Sequence, residues 1–267
     1  MKPMTMRWRL LLPGLALLLA ACAPMHQQAL TAEHRNQVKE VKVQMVVPQE
    51  TFIFSAANPN ISAAMGGGLI PALIDSAVQK SRQEQLGGRV RPLLDKLIEV
   101  DFRDEARTVL AQEAGLPFRV SSSEVVVQLP GKKQHEAMIS GLRPGQAYLR
   151  IVSFYSLDPE VLLLSVRSQA VMWRQGVQEK VFGTGAVYQS QVQSTEPEVV
   201  RERLREGVAQ TLRLLALDMA QPAVQGQQGK AQHPYKTDAK SIMLQGDVLA
   251  NEPARVLMRE RSGTMFS

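Results

Sequence analysis

Alternation of apolar and polar residues is the clearest pattern in the chain. Val41, Val43 and Met45 alternate with Lys42 and Gln44, which is the period of a half-buried strand that Pro48 ends. The same period returns at residues 125–129, 146–157, 161–174 and 181–188. The last three of these segments are joined by short turn-forming connections, which predict an antiparallel meander.

A helical period governs the stretches between these strands. It predicts helices over residues 71–86, 90–100, 102–114 and 196–219. Asp101 is the predicted cap of the third helix, and Thr195 with Glu198 forms a capping box for the fourth. The cluster of Asp101, Asp104 and Glu105 resembles a carboxylate site, but helix capping and solvation explain it better.

These elements predict an α+β fold: an antiparallel meander sheet of about four to five strands with helices packed on one face. Residues 41–220 form the predicted domain, and residues 22–40 a polar tether before it. A Gln- and Gly-rich stretch over residues 221–240 indicates a flexible linker. Residues 241–267 then form a C-terminal hairpin or a docking tail.

The first 21 residues have the layout of a secretory signal peptide. Lys2, Arg7 and Arg9 precede an apolar run over residues 10–20, and small residues lead to Cys22. The run is too short for a spanning helix, which needs about 20 residues. Cleavage would leave 246 of the 267 residues and lower the formal net charge from +6 to +3, because three basic residues are lost.

The sequence Leu19-Ala20-Ala21-Cys22 resembles the lipobox of bacterial lipoproteins. The resemblance implies cleavage between Ala21 and Cys22, a diacylglycerol on the Cys22 sulfur and a further acyl chain such as palmitate on the freed amine. Several acyl chains make a membrane anchor lasting, whereas one binds reversibly. Because Ala23 rather than Asp follows Cys22, the resemblance also implies an outer-membrane location facing the periplasm.

An apolar, glycine-rich segment lies ahead of the first predicted helix. It contains Gly66, Gly67, Gly68, Leu69, Ile70, Leu73 and Ile74. The glycines lack the pattern of a phosphate-binding loop. We favour a helix packed on the sheet, with the glycines allowing close approach. The alternative is a segment that contacts the membrane surface or a partner helix.

The sequence offers no recognised chemistry. Its four histidines are scattered without metal-ligand spacing, and Cys22 is the only cysteine. It lacks the motifs of nucleophile elbows and zinc proteases, and it has no long basic run for nucleic acid. We therefore predict no cofactor, no metal site and no enzymatic activity, and a membrane and other envelope proteins as partners.

The lipobox and the order of elements resemble the architecture of envelope-assembly lipoproteins, such as the curli secretion family and the activators of penicillin-binding proteins. That resemblance implies a non-enzymatic interaction or assembly factor of the bacterial cell envelope. One alternative is an oligomeric secretion or pore-forming subunit that contacts the outer membrane. Another is a hydrolase or binding protein for cell-wall glycan.

Overall fold

A computed structural model describes residues 28–54, 87–112, 115–159, 162–177, 179–220, 228–237, 240–252, 255–260 and 265–266. Beyond residue 220 it describes the side chains of Val248, Leu257, Arg259 and Met265. The described helices are α1 (Ala32–Gln37), α2 (Gly87–Leu97), α3 (Phe102–Ala111), α4 (Lys132–Ser140) and α5 (Pro197–Ala220). Among the described residues, no helix is both long and apolar enough to span a membrane.

The strands form one ten-stranded sheet. They are β1 (Glu40–Val46), β2 (Ile53–Phe54), β3 (Arg119–Val126), β4 (Gln146–Asp158), β5 (Leu163–Arg174), β6 (Phe182–Gln191), β7 (Gln228–Thr237), β8 (Lys240–Glu252), β9 (Arg255–Glu260) and β10 (Met265–Phe266). The order across the sheet is β3-β1-β4-β5-β6-β10-β9-β8-β7, and β2 pairs with the far end of β4. The α+β class is therefore confirmed, with a larger sheet than predicted.

The strand β1 corrects the predicted strict meander. It lies between β3 and β4 and runs parallel to both, while β10 runs parallel to β6. Val41, Val43 and Met45 are fully buried or nearly so, and Gln44 on the opposite face is also buried. A strand covered on both faces belongs inside a sheet, and the helices α2 to α4 supply the long connections that parallel neighbours need.

The meander prediction holds for β4, β5 and β6, which pair in order and antiparallel. On one face of this unit the buried residues include Leu149, Ile151, Val166, Ala170 and Met172, and these belong to the main hydrophobic core. The alternation of apolar residues along the two longest strands thus correctly predicts which face is buried. Leu162 is the exception, because it lies before β5 with a positive φ of 49°.

The helix α5 covers this core face. Its predicted apolar stripe is buried, from Val200 to Met219. The helix starts at Pro197, so Glu196 rather than Thr195 precedes the first helical residue. Below the helix, the Ser168 hydroxyl lies 2.8 Å from that of Ser153 and 3.2 Å from that of Thr211, so these buried polar groups satisfy one another.

The helix α3 confirms the prediction of a capped helix. The Asp101 carboxylate accepts a hydrogen bond from the Arg103 backbone amide at 2.9 Å. Phe102 is buried and stacks on Tyr155 of β4 with ring centroids 4.5 Å apart. By contrast α2 ends at Leu97, before the predicted end at residue 100, so Ile98 lies in the following turn and is 78% exposed.

The helix α4 shows that the sheet is covered on both faces, which corrects the prediction of one. The sequence Pro130-Gly131 is typical of a turn, but Gly131 is the N-cap of α4. Met138 and Ile139 pack on Tyr148 and Trp173, which lie on the face opposite the main core. The weak amphipathic pattern of this helix, which starts with five polar residues, makes it hard to recognise in the sequence.

Two terminal regions also differ from their sequence interpretation. Residues 22–40 were interpreted as a tether, yet α1 lies within them, with Thr31 as its cap, and Leu30 is buried. Residues 221–240 were interpreted as a linker, yet they contain β7, which pairs with β8. Residues 241–267, predicted as a hairpin or a docking tail, include β9 and β10, whose Leu257 and Met265 are buried in the core.

The close contact between α5 and the sheet depends on Gly207. A Cβ at this position would lie 2.6 Å from Val166 Cγ2 and 3.0 Å from Tyr188 Cδ1. We expect Gly207→Ala to lower the free energy of unfolding by about 1–2 kcal/mol, because overpacking outweighs the ~1 kcal/mol that alanine gains in a helix. Denaturant unfolding of the purified full chain measures this change.

The control is Ala209→Gly on the exposed face of the same helix. It should cost about 1 kcal/mol through helix propensity alone. A Gly207→Ala protein more stable than the parent would contradict the close contact.

Candidate functional site

The residues that the sequence singles out lie outside the described part of the chain. These are Ala21, Cys22, Gly66, Gly67, Gly68, Leu69, Ile70, Leu73 and Ile74. The lipid attachment, the helix packing and the two alternative functions therefore stay predictions. The candidate site below is built from residues that the sequence did not indicate.

One end of the sheet gathers polar and basic residues. The parallel strands β1, β3 and β4 all begin there, and β5 ends there. Gln28 lies beside the start of β6, and α1 connects it to the start of β1, so α1 crosses this end of the sheet. There His34 of α1 contacts Arg174 of β5. The strand ends thus bring together residues far apart in the sequence.

Glu40 is the carboxylate at this end. It accepts hydrogen bonds from the Gln146 side chain and from the Arg119 guanidinium. The hydrogen bond from Gln146 is the largest cause that lowers the pKa of Glu40, and Arg119 and the nearby Arg143 add to it. Gln146 in turn accepts a hydrogen bond from the Arg143 backbone amide at 2.9 Å. The network fixes the starts of the three parallel strands relative to one another.

Beside this network lies an open groove of about 320 Å³. Its lining residues are Asn36, Gln37, Lys39, Pro144, Gly145, Gln146, Arg174 and Gln175. Gly145 has a positive φ of 81°, and the Lys39 stem passes over it, with Lys39 Cδ 3.5 Å from where a Cβ would lie. The groove therefore combines two cations and four carboxamides, a set that suits an oxyanion.

The two hydrogen-bond partners of Arg174 do not neutralise its positive charge. Its Nε donates to His34 Nδ1 at 2.9 Å, and its Nη1 donates to the Gln175 carbonyl at 3.4 Å. Neither partner is a carboxylate, so neither brings a negative charge to Arg174. Within the described residues Lys39 also makes no ion pair, so both charges are available to a ligand.

A second polar cluster lies on the sheet face beneath α4. The Tyr148 hydroxyl donates to Gln44 Oε1 at 2.6 Å, and Gln44 Nε2 donates to Glu124 Oε1 at 2.7 Å. Burial raises the pKa of Tyr148 to about 12, so the hydroxyl keeps its proton at neutral pH. These bonds join β4, β1 and β3, and they hold the strands in register rather than form a reactive centre.

His135 of α4 completes this cluster. Its ring meets Trp173 edge-on with centroids 4.5 Å apart, and Arg150 lies 4.8 Å from the centre of the same tryptophan ring. His135 Nδ1 is buried without a hydrogen-bond partner among the described residues. Burial, and after it the charge of Arg150, lowers the pKa of His135. Packing of α4 on the sheet therefore favours the neutral imidazole.

The acidic residues near α3 cap the helix or form ion pairs. Asp101 caps the helix, Asp104 pairs with Arg107, and Glu105 pairs with Arg205 of α5. Capping was predicted correctly for Asp101, but Glu105 is buried rather than solvated. Among the described residues, no group of three metal-binding side chains occurs.

The strand β3 is an exposed edge strand among the described strands. It is the outermost strand on its side of the sheet, and the side chains from Ser121 to Glu124 are exposed. Val127 and Leu129 follow the strand and are 38% and 44% exposed. A strand edge with apolar residues beside it can accept an extended segment of another chain.

Comparison with protein-family models and with curated proteins found no match to this chain.

The lowered pKa of His135 predicts a pH effect on stability. As the pH falls below about 6.5, the unfolded chain takes up a proton before the folded protein does, so folding stability falls. We expect the parent protein to lose more stability than His135→Gln between about pH 8 and about pH 5. Denaturant unfolding followed by tryptophan fluorescence measures both. Equal losses in the two proteins would contradict a neutral, packed His135.

Proposed function

We propose that this protein is a lipid-anchored component of the bacterial cell envelope that acts through contacts with other proteins and not as an enzyme. The observation that carries the proposal is the Leu19-Ala20-Ala21-Cys22 sequence directly after a signal-like apolar run. A cysteine is not needed for ordinary signal cleavage, whereas lipid transfer needs its sulfur. The proposed location is the outer membrane, facing the periplasm.

The described domain adds a surface for such contacts. The β3 edge is exposed from Ser121 to Glu124, and a partner segment can extend the sheet there by main-chain hydrogen bonds. The serines and Glu124 keep this edge polar, which limits unspecific pairing between free copies. Val127 and Leu129 would then supply apolar contacts that select the partner.

Cys22→Ser tests the anchor. Serine offers no thiolate for the transfer, so we expect the variant to lose palmitate labelling and to leave the membrane fraction. Metabolic labelling and membrane fractionation of the full chain measure both changes. The control is Ala23→Ser, which keeps the sulfur and should be labelled like the parent. A Cys22→Ser protein that is still labelled and cleaved at the same bond would contradict the proposal.

The β3 edge is tested by site-specific photocrosslinking in living cells. We expect a crosslinkable residue at Ser122 to give a discrete product with an envelope protein, and one at Ala209, exposed on α5, to give none. Leu129→Lys should reduce the Ser122 product several-fold, because the contact would bury an apolar side chain. Identical products from both positions would contradict a specific docking edge.

A further inference from the structure

We propose that the groove formed by Lys39, Arg174 and their neighbouring carboxamides binds the phosphate group of an anionic phospholipid headgroup. The inference rests on the proposed lipid anchor, and it assigns that anchor a second contact with the same membrane. Three observations carry it: where the chain enters the domain, how much chain precedes that point, and the charge of the groove.

The chain enters the domain at the same end of the sheet as the groove. Gln28 and Gly183 exchange backbone hydrogen bonds, both at 2.9 Å, so Gln28 lies beside the first residues of β6. Phe182 pairs with Met172, two residues before Arg174. Gly183 pairs with Val171, so Gln28 lies about two strand spacings, ~10 Å, from Val171, which is three residues before Arg174 at the end of β5.

Little chain separates that point from the proposed anchor. Six residue steps join Cys22 to Gln28, and extended chain covers about 3.5 Å a residue. Cys22 therefore lies within about 20 Å of Gln28, whatever path the chain takes. An acylated Cys22 would therefore keep Gln28 within about 20 Å of the lipid headgroups, which brings the groove within reach of the membrane surface.

The charges of this end suit an anionic membrane surface. Lys39 and Arg174 line the groove, and the exposed Arg143 lies beside it. Arg119 is matched by Glu40 through their ion pair. The cations that remain attract anionic lipids, an attraction that acts within about one Debye length of the surface.

The groove also offers the hydrogen bonds that a phosphate group accepts. Arg174 uses its Nε and Nη1 for His34 and Gln175, and its guanidinium has further N–H groups. Asn36, Gln37 and Gln175 add carboxamides on the rim, while Gln146 is engaged with Glu40. A compact oxyanion fits a groove of about 320 Å³. Its open shape leaves room for the glycerol and acyl chains outside.

Energy transfer from tryptophan tests the inference on the full chain in neutral detergent micelles. Trp173 precedes Arg174, and it is the only tryptophan once the signal is removed. The acceptor is an acyl-labelled phosphatidylglycerol, compared with phosphatidylcholine carrying the same label. We expect more transfer to phosphatidylglycerol at equal mole fraction, and the preference should weaken as salt is added.

Charge removal locates the site. Each Lys or Arg near an anionic lipid surface contributes about fivefold in binding, so Lys39→Gln with Arg174→Gln should reduce affinity for phosphatidylglycerol about 25-fold. Lys39→Gln alone should reduce the affinity for phosphatidylglycerol about fivefold. Because Lys39 is exposed, this single variant keeps the test valid if the double variant misfolds. The matched control removes two charges from α4 through Lys132→Gln and Lys133→Gln and should leave the preference unchanged.

The outcomes separate this inference from the anchor itself. Mass spectrometry of the N-terminal peptide shows whether Cys22 is acylated, independently of energy transfer. If Cys22 is acylated but energy transfer to the two lipids is equal, headgroup binding is overturned while the anchor stands. The same follows if both double variants lose the same affinity for phosphatidylglycerol. Displacement of phosphatidylglycerol by an equal concentration of inorganic phosphate would show a site for free phosphate and overturn the lipid assignment. An unmodified Cys22 would overturn the anchor and the membrane placement that rests on it.

Discussion

The architecture depends on the burial of β1 between β3 and β4. This strand pairs in parallel with both neighbours, and its two faces are covered from Val41 to Val46 except at Lys42. Its polar member, Gln44, joins Tyr148 to Glu124, so the buried amide is satisfied while it sets the register. Because β1 fixes where β3 and β4 begin, it also fixes the basic groove and the free edge. Both proposed contacts of the protein are consequences of where this strand sits.

The sequence predicts what is local and strongly periodic. The Asp101 cap, the buried stripe from Val200 to Met219 and the meander of β4, β5 and β6 all follow from spacing and turn chemistry. The position of β1 does not, because a half-buried alternation fits an edge or an interior strand equally well. The helix α4 escapes detection since only its last turns are apolar and Gly131, its cap, also suits a turn. Serines conceal the start of β3, where pairing with β1 overrides their weak strand preference.

The candidate site could not be predicted from the sequence, for a different reason. More than 100 residues separate Lys39 from Gly145, and Arg174 lies farther along the chain. None of these three groove residues belongs to a local motif. Only the parallel pairing of β1 with β4 and the crossing of α1 place them together. The sequence did single out Cys22 and the segment around Gly66–Gly68, but from local patterns alone, and the attachment and packing that these patterns predict stay predictions. Local patterns thus carry the proposed anchor, whereas long-range pairing creates the groove.

The pairing of β1 with β4 also bears on when the domain can fold. Glu40 and Gln146 are 106 positions apart, and Met265 at the end of the chain lies beside Ala186 of β6. Closing such long loops is slow, and nearly the whole polypeptide must be available before the sheet is complete. For a chain that crosses a membrane before it folds, as proposed here, this delay is useful. If the chain is exported, the topology would keep the sheet incomplete, and the polypeptide open, until the residues of β9 and β10 have been synthesised.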